Sequence, residues 1–388
     1  MNKPLQMPMF KPETEWVPPT HLPDLKDHKE IAIDLETRDP NLMTMGSGSV
    51  RGDGEVIGIA VAVEGWSGYF PINHEGGGNM DRALVLDWFE EVLQTTATKI
   101  FHNAMYDVSW IRSMGFYING GIIDTMIAAS LCNENRWSYT LDSVAKEYIG
   151  VGKSEKLLIE AAKEWGINPK AEMWRLPAPL VGEYAEQDAV ITLKLWAAMQ
   201  HEIEKQDLWD VFNLETNLFP CLVDMKFKGV RVDIDKAEQT KKSLLVSEKQ
   251  MHQDIKKLAG FDVEIWAAAS IAKAFDEVKL PYDRTEKGAP SFTKNFLATH
   301  PHELPKLINQ AREVNKASTT FIDTILKHNH KGRIHSDINQ IRSDDGGTVT
   351  GRFSYSNPNL QQIPARHKEL GPMIRSLFIP EEGTKWGC

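Results

Sequence analysis

The stretch that most constrains this chain is Ile31-Ala-Ile-Asp-Leu-Glu-Thr-Arg38, in which apolar and acidic residues alternate with period two. That period predicts a strand with Ile31 and Ile33 on one face and Ala32, Asp34 and Glu36 on the other. Two carboxylates then project together at the strand's end. At about 4 Å in a low dielectric such charges repel strongly, and a hard divalent cation with oxygen ligands relieves them. Asp34 and Glu36 are therefore candidates to begin a metal site. An ordinary edge strand with solvated acids is the simpler alternative while these residues stand alone.

Two later segments add to the pair. In Phe101-His-Asn-Ala-Met-Tyr-Asp-Val-Ser-Trp-Ile111, Asn103 and Asp107 lie four apart at the start of a predicted helix that follows the short strand Lys99–Phe101, so both share one face. In the helical segment 181–196, Tyr184 and Asp188 repeat that spacing among apolar Val181, Ala185, Ile191, Leu193 and Leu195. Four carboxylates and a phenol can thus converge, although each helix alone reads equally well as a surface helix with its charges outward.

In this order the three segments resemble the motifs of the DnaQ-like 3′-to-5′ exonucleases. The resemblance implies an α/β, RNase H-like domain with a mixed sheet over residues 29–206. It also implies phosphodiester hydrolysis with two divalent metal ions, Mg²⁺ or Mn²⁺. Asp34, Glu36 and Asp188 would hold the first ion, which makes hydroxide available from a bound water near neutral pH. Tyr184 and Glu36 would orient that water. Asp34 would hold the second ion, with Asp107 acting through waters. Asn103 is expected to position the strand or Asp107, while Leu35 and Thr37 would touch the terminal base and sugar. Single-stranded 3′ ends of DNA are the expected substrates, because a frayed or mispaired terminus reaches such a cleft at lower unpairing cost.

A length of 388 residues allows two or three domains with real cores. Hydrophobic content of 41% and charged content of 25% are those of an ordinary soluble globular protein. There is no apolar run of about 18 residues, and the amino terminus lacks a charged region followed by an apolar one, so neither a membrane span nor a secretory signal is expected. The expected location is intracellular, in the cytoplasm. Cys132, Cys221 and Cys388 are odd in number and far apart, which argues against a disulfide framework or a zinc site. The net charge of −10 divides into −14 over residues 1–210 and +4 over the rest. An acidic first half suits a cation site, and a less acidic second half suits phosphate contacts.

Along the chain, a proline-rich irregular leader over 1–28 gives way to the Asp34 strand, then to paired strands at 55–63 and 68–72 that predict an antiparallel start. Helices are expected at 81–93, 123–131, 140–149 with Thr140 as cap, and 154–165. Gly76-Gly-Gly78 lacks a Gly-Lys-Ser ending and is not read as a phosphate cradle. Lys153 and Lys156 could touch phosphate or simply be solvated. Residues 207–330 turn to long helices, Trp209 to Lys228 with Pro220 as an expected kink, Asp235 to Leu258, and roughly Pro301 to Lys327. The last two would form an antiparallel arm with a loop-rich tip. Lys241, Lys242, Lys249, Lys256 and Lys257 on the second helix read as a basic face for DNA or as a solvated face.

The last block predicts strands at 332–341 and 348–354 about the turn 344–347, followed by Asn357-Pro-Asn-Leu-Gln-Gln-Ile-Pro-Ala-Arg366. Its amide, guanidinium and hydroxyl groups can bond phosphates and minor-groove acceptors, which look alike for A·T and T·A pairs. The runs GRIHSDINQ, TVTGRFSYSNPNLQQIPAR and IRSLFIPEEGTKWG resemble the stretch that leads into the first catalytic motif of family A, DNA polymerase I-like, DNA polymerases, with phage-like wording. The resemblance implies a helical thumb over 207–330 and a β-hairpin start of the palm over 331–388. Arg352 would reach the primer-terminal minor groove, and Asn359, Gln361, Gln362 and Arg366 would contact the template-primer duplex. The Asp-Tyr-Ser, fingers-lysine and His-Asp-Glu motifs of such polymerases are not in the sequence, so polymerisation is not expected of this chain alone. A separate polypeptide carrying palm and fingers is a conceivable partner. Two other readings stand beside the proofreading exonuclease of DNA replication: an RNA-trimming enzyme of the same fold, and a non-catalytic half that holds template-primer.

Overall fold

The computed structural model describes residues 13–344, 346–365 and 367–386. Packing divides the chain into two compact units, Met1–Lys228 with Ser336–Asn359, and Gly229–His335 with Leu360–Cys388. The expected boundaries at 206 and 330 do not coincide with this division, because residues 207–228 and 336–359 pack with the first unit.

The first unit is built on β1 (Glu30–Arg38), with a short helix α1 (Leu42–Met45) and strands β2 (Glu55–Val63) and β3 (Trp66–Pro71) after it. Helix α2 (Arg82–Gln94), β4 (Thr98–Phe101), α3 (Ala104–Ser113), β5 (Ile122–Asp124) and α4 (Thr125–Cys132) follow. Then come α5 (Leu141–Ile149), α6 (Lys156–Trp165), the 27-residue α7 (Pro179–Lys205) and α8 (Trp209–Lys228). The five strands form one mixed sheet in the order β3-β2-β1-β4-β5, antiparallel from β3 to β1 and parallel from β1 to β5.

The period-two pattern of β1 has the expected effect. Ile31, Ile33 and Leu35 enter a core with Val85, Phe89, Trp110 and Ile111 of α2 and α3. Ala32 enters the opposite core with Ala60, Ala62 and residues of α7, among them Val181, Ala185 and Ala189. Small side chains on that second face let a long helix lie close to the sheet, and larger ones would overpack it. Asp34 and Glu36 share this face, so the helix that packs there meets them. Gly58 pairs with Glu36 across β1 and β2, and a Cβ on it would lie 2.0 Å from the Tyr69 hydroxyl. The register slips just after Glu36, a bulge of the kind found where a strand must aim a side chain.

Of the irregular leader, residues 13–28 lie over this unit: the Trp16 ring covers Gly182, and Trp88 Nε1 donates to Pro23 O at 2.7 Å. The helix expected from Ile123 begins only at Thr125. Residues 122–124 instead pair with β4, and the Asp124 carboxylate accepts from Met126 N at 2.8 Å to cap α4.

In the second unit β6 (Val230–Arg231) precedes the 26-residue α9 (Ile234–Ala259), then α10 (Ala268–Glu277), the hairpin β7 (Asp283–Arg284) and β8 (Pro290–Ser291), and α11 (Lys294–Thr299). Helix α12 (Glu303–Lys316) runs through a π-helical stretch at Ala317–Ile322 into α13 (Asp323–Lys327). The start of α9, at Ala237 and Leu244, packs against Ala317 and Ile322, and its end, at Ile255 and Ala259, against Leu304 and Ile308. The two helices are therefore antiparallel, as expected. Their tip holds α10, β7, β8 and α11 among its loops, and Phe275, Phe292 and Leu297 give it a core of its own. Three of the α9 lysines are paired with acids, Lys241 with Asp323, Lys256 with Asp262 and Lys257 with Asp254, at 2.5 to 2.8 Å.

The remaining strands are β9 (Asn329–His330), β10 (Arg333–Ile334), β11 (Asp337–Asn339) and β12 (Ser354–Ser356), and α14 (Leu370–Arg375) follows them. The two expected strands of this region are shorter and differently paired. Residues 332–341 split between β10, which pairs with β6 and β9, and β11, which pairs with β12. Residues 348–353 form turns, with Thr348 Oγ1 donating to Arg352 O at 2.9 Å, because Gly346, Gly347 and Gly351 all take positive φ. In the first unit this segment is anchored by Tyr139 N donating to Asp344 Oδ2 at 2.8 Å and by the buried pair Lys226–Asp337, also at 2.8 Å.

Candidate active site

Oxygens of Asp34, Glu36 and Asp188 all lie within 4.8 Å of one another. Asp34 and Glu36 arrive from the end of β1, and Asp188 from the middle of α7, one turn after Tyr184. Glu36 and Asp188 are buried, while Asp34 keeps an open edge. Burial pushes every carboxyl in the group up; mutual repulsion adds to it at Asp34 and Glu36, whereas Lys153 pulls Asp188 back. Asp34 rises to about 7 through loss of water and then the charge of Asp188. Glu36 rises through burial and then the charges of Asp34 and Asp188.

Asp107 comes from the other side of the sheet, on the first turn of α3. Pairing of β1 with β4 extends only to Ala32, and farther along the strand Leu35 N donates to Asp107 Oδ1 at 2.9 Å. Asp107 is buried and its carboxyl is raised chiefly by that burial, then by Asp34. Tyr184 stays a neutral phenol, since burial and the charge of Asp188 both raise its pKa.

Asn103 departs from the helical face expected for it. It precedes α3 in a left-handed conformation, φ 69°, and its N–H and that of Ala104 donate to Asp124 at 3.0 and 2.8 Å. Asp124 therefore holds the starts of both α3 and α4, a role signalled in the sequence only by an Asp-Thr pair before a helix. Thr37 Oγ1 lies 2.6 Å from the Tyr106 hydroxyl. The Leu35 side chain is 5% exposed and packs with Ile31 and Ile33, on the face away from the carboxylates, so the structure does not bring it to them.

Sequence reasoning undervalued Lys153. Its Nζ reaches Asp188 Oδ2 at 2.5 Å and the Tyr184 hydroxyl at 3.4 Å, and its side chain is only 16% exposed. The signal was a lysine in a Gly-Val-Gly-Lys loop, which predicts neither burial nor a partner.

The donor set fits a hard divalent cation. All the ligand atoms are carboxylate oxygens, Lys153 offers one positive charge against three acids, and Asp188 Oδ1 is buried with no hydrogen-bond partner. A cleft of about 830 Å³ in the same unit is lined by Asn103, Tyr106, Asp124, Tyr184, Asn339 and Arg342, among others. Of the residues expected at template-primer, Arg352 and Asn359 are exposed in the first unit, and Gln361 and Gln362 are exposed on a short 3-10 turn of the second. Arg366 lies outside the described residues.

Residues 20–204 match the family model described as 3′-5′ exonuclease, and residues 234–387 match that of DNA polymerase family A. A DNA-directed DNA polymerase of Pseudomonas phage M6 is 36% identical over 98% of this chain and 60% of its own length. The chain resembles DNA polymerase family A over nearly its whole length.

Other DNA polymerases are similar over nearly as much of the chain. The DNA polymerase DpoZ of Salmonella phage PMBT28 is 32% identical over 94% of this chain and 60% of its own length. DNA polymerase I of Pseudomonas aeruginosa is 28% identical over 94% of this chain and 40% of its own length. The chain thus spans about three-fifths of the phage relatives it matches. In fold it resembles the polymerase domain of Pol1 from M. smegmatis, solved with DNA primer-template and dNTP, with a TM-score of 0.71, 19% identity, and coverage of 92% of this chain and 56% of that one. The mixed α/β exonuclease fold expected from the motifs is the one found. Among the described residues no helix is long and apolar enough to cross a membrane.

Proposed function

We propose that this chain carries the proofreading 3′-5′ exonuclease of a replicative phage DNA polymerase, acting in the host cytoplasm on single-stranded or frayed 3′ ends of DNA. The observation that carries the reading is the meeting of Asp34, Glu36 and Asp188 with an unpartnered buried oxygen among them. Asp34, Glu36 and Asp188 would hold one Mg²⁺ or Mn²⁺, and Asp34 with Asp107 a second. Divalent ions so placed lower the pKa of coordinated water and neutralise charge at phosphorus.

The chain's own groups would do the rest. Tyr184, kept protonated by burial, would donate a hydrogen bond to the attacking water, with Glu36 accepting from it. Asp107 fixes the end of β1 through the Leu35 N–H and so sets the distance between Asp34 and the strand's neighbours. Asn103 and Thr37 would position the terminal nucleotide. Leu35 reaches it only if the strand end shifts. Arg352, Asn359, Gln361, Gln362 and Arg366 would contact the template-primer duplex.

The test is digestion of a 5′-labelled primer, single-stranded and annealed with a 3′ mismatch, in Mg²⁺. Stepwise shortening that is lost in Asp34→Ala supports the reading, and near-normal hydrolysis by that variant sinks it.

A further inference from the structure

Lys153 lies in the short segment between α5 and α6, and its backbone is held at both sides. Its N–H donates to Asp142 Oδ1 at 2.9 Å, and the N–H of Ser154 donates to Gln187 Oε1 of α7 at 2.8 Å. The lysine is therefore built into the site, unlike a solvated surface residue. Among the described residues it is the cation that ion-pairs with the carboxylate cluster.

We propose that Lys153 is the resident counter-cation of the cluster: it pairs with Asp188 while no divalent ion is bound and gives up that carboxylate when one arrives. The proposal rests on the metal-dependent reading above. Asp188 has one oxygen on the lysine and the other without a partner, so an ion that takes both must displace the ammonium or sit beside it. Two cations a few ångströms apart repel, and the pair that yields is the one with the weaker charge. The released ammonium has a place to rest, since it already lies 3.4 Å from the Tyr184 hydroxyl and 5.2 Å from the centre of that ring. Only the side chain has to move, because the backbone on either side is tethered. Lys153 acts here as a positioning residue, keeping Asp188 in place before metal binds and leaving Tyr184 supported afterwards.

The decisive measurement is Mn²⁺ binding to the full chain by calorimetry at pH 8. Lys153→Met, which keeps the length and removes the charge, is expected to bind Mn²⁺ about tenfold more tightly while melting at lower temperature in EDTA. Lys153→Arg, which keeps the charge, is expected to bind as the unaltered protein does. A purely structural lysine would weaken binding when removed, so unchanged or weaker affinity in folded Lys153→Met overturns the proposal. Should that variant not fold, the unaltered protein decides the matter. Acetylation of Lys153 by acetic anhydride, read by mass spectrometry, should rise on saturation with Mn²⁺, and no rise overturns it. Neither readout uses nuclease activity, so normal hydrolysis by Asp34→Ala would remove the exonuclease reading without deciding whether Lys153 is released.

Discussion

Two groups of buried acid stand close together in the first unit and differ in what satisfies them. Asp124 accepts from three backbone N–H groups, those of Asn103, Ala104 and Met126, at 2.8 to 3.0 Å. Asp188, equally buried, has one oxygen on Lys153 and one on nothing, and it faces two further carboxylates. Burial raises the pKa of both, and it is pulled back in Asp124 by backbone bonds and in Asp188 by the charge of Lys153. An acid whose oxygens are filled by the backbone serves the fold. An acid left unfilled among its own kind costs stability and is retained for what it can bind.

The contrast is broken most directly by paired alanine substitutions. Asp34→Ala is expected to lower exonuclease turnover by about a thousandfold while leaving the fold intact in EDTA. Asp124→Ala should do the reverse. It orphans three backbone donors at two helix starts, at a cost of about 3 kcal/mol, yet leaves Asp34, Glu36 and Asp188 in place. Chemical denaturation beside single-turnover digestion reads both, and equal stability losses in the two variants would erase the distinction.

Metal addition sharpens it further. At a concentration of Mn²⁺ about a hundredfold above its dissociation constant the protein should gain about 2.7 kcal/mol. Asp188→Asn should gain almost none. A clear Mn²⁺ shift in that variant would show that the ion is held elsewhere.

Gly58→Ala is expected to cost about 1–3 kcal/mol, because its Cβ would meet the Tyr69 hydroxyl at 2.0 Å on the face that carries Glu36. Denaturant midpoints check this, and a neutral result would mean that Tyr69 can give way.

A further effect is one of pH. Burial lowers His74 and His102 to about 4 from an ordinary 6.5. Between those values the unfolded chain binds more protons than the native one, so stability contributed by each histidine is full above pH 6.5 and is lost as pH falls toward 4. The slope is at most about 1.4 kcal/mol per pH unit for each. Asp34 works in the opposite sense: its carboxyl is raised to about 7, so the native chain gains stability as pH falls through 7. Unfolding in EDTA across pH 4–8 should show His102→Gln with a flatter acid limb than the unaltered protein, and an unchanged limb would remove the histidine from this account.

Much of this was legible in the sequence because it depends on local periodicity. Alternation in β1, the bounds of β2 at Glu55–Val63 and those of α8 at Trp209–Lys228 follow from patterns within a few residues. The spacing of Tyr184 and Asp188 likewise places both on one helix face. Tertiary structure alone decided what those faces meet. Ala32, Ala60 and Ala62 admit α7 close to the sheet, and that approach turns three distant acids into one cluster. The same holds for Lys153, whose burial depends on tethers to Asp142 and Gln187, and for Asp124, whose three donors come from two different helices. The turns at 348–353 were misread as a strand because β-propensity is weak beside glycines that hold positive φ. Periodicity is a property of neighbours along the chain, whereas the charge balance of a site is a sum over groups that only packing brings within a few ångströms.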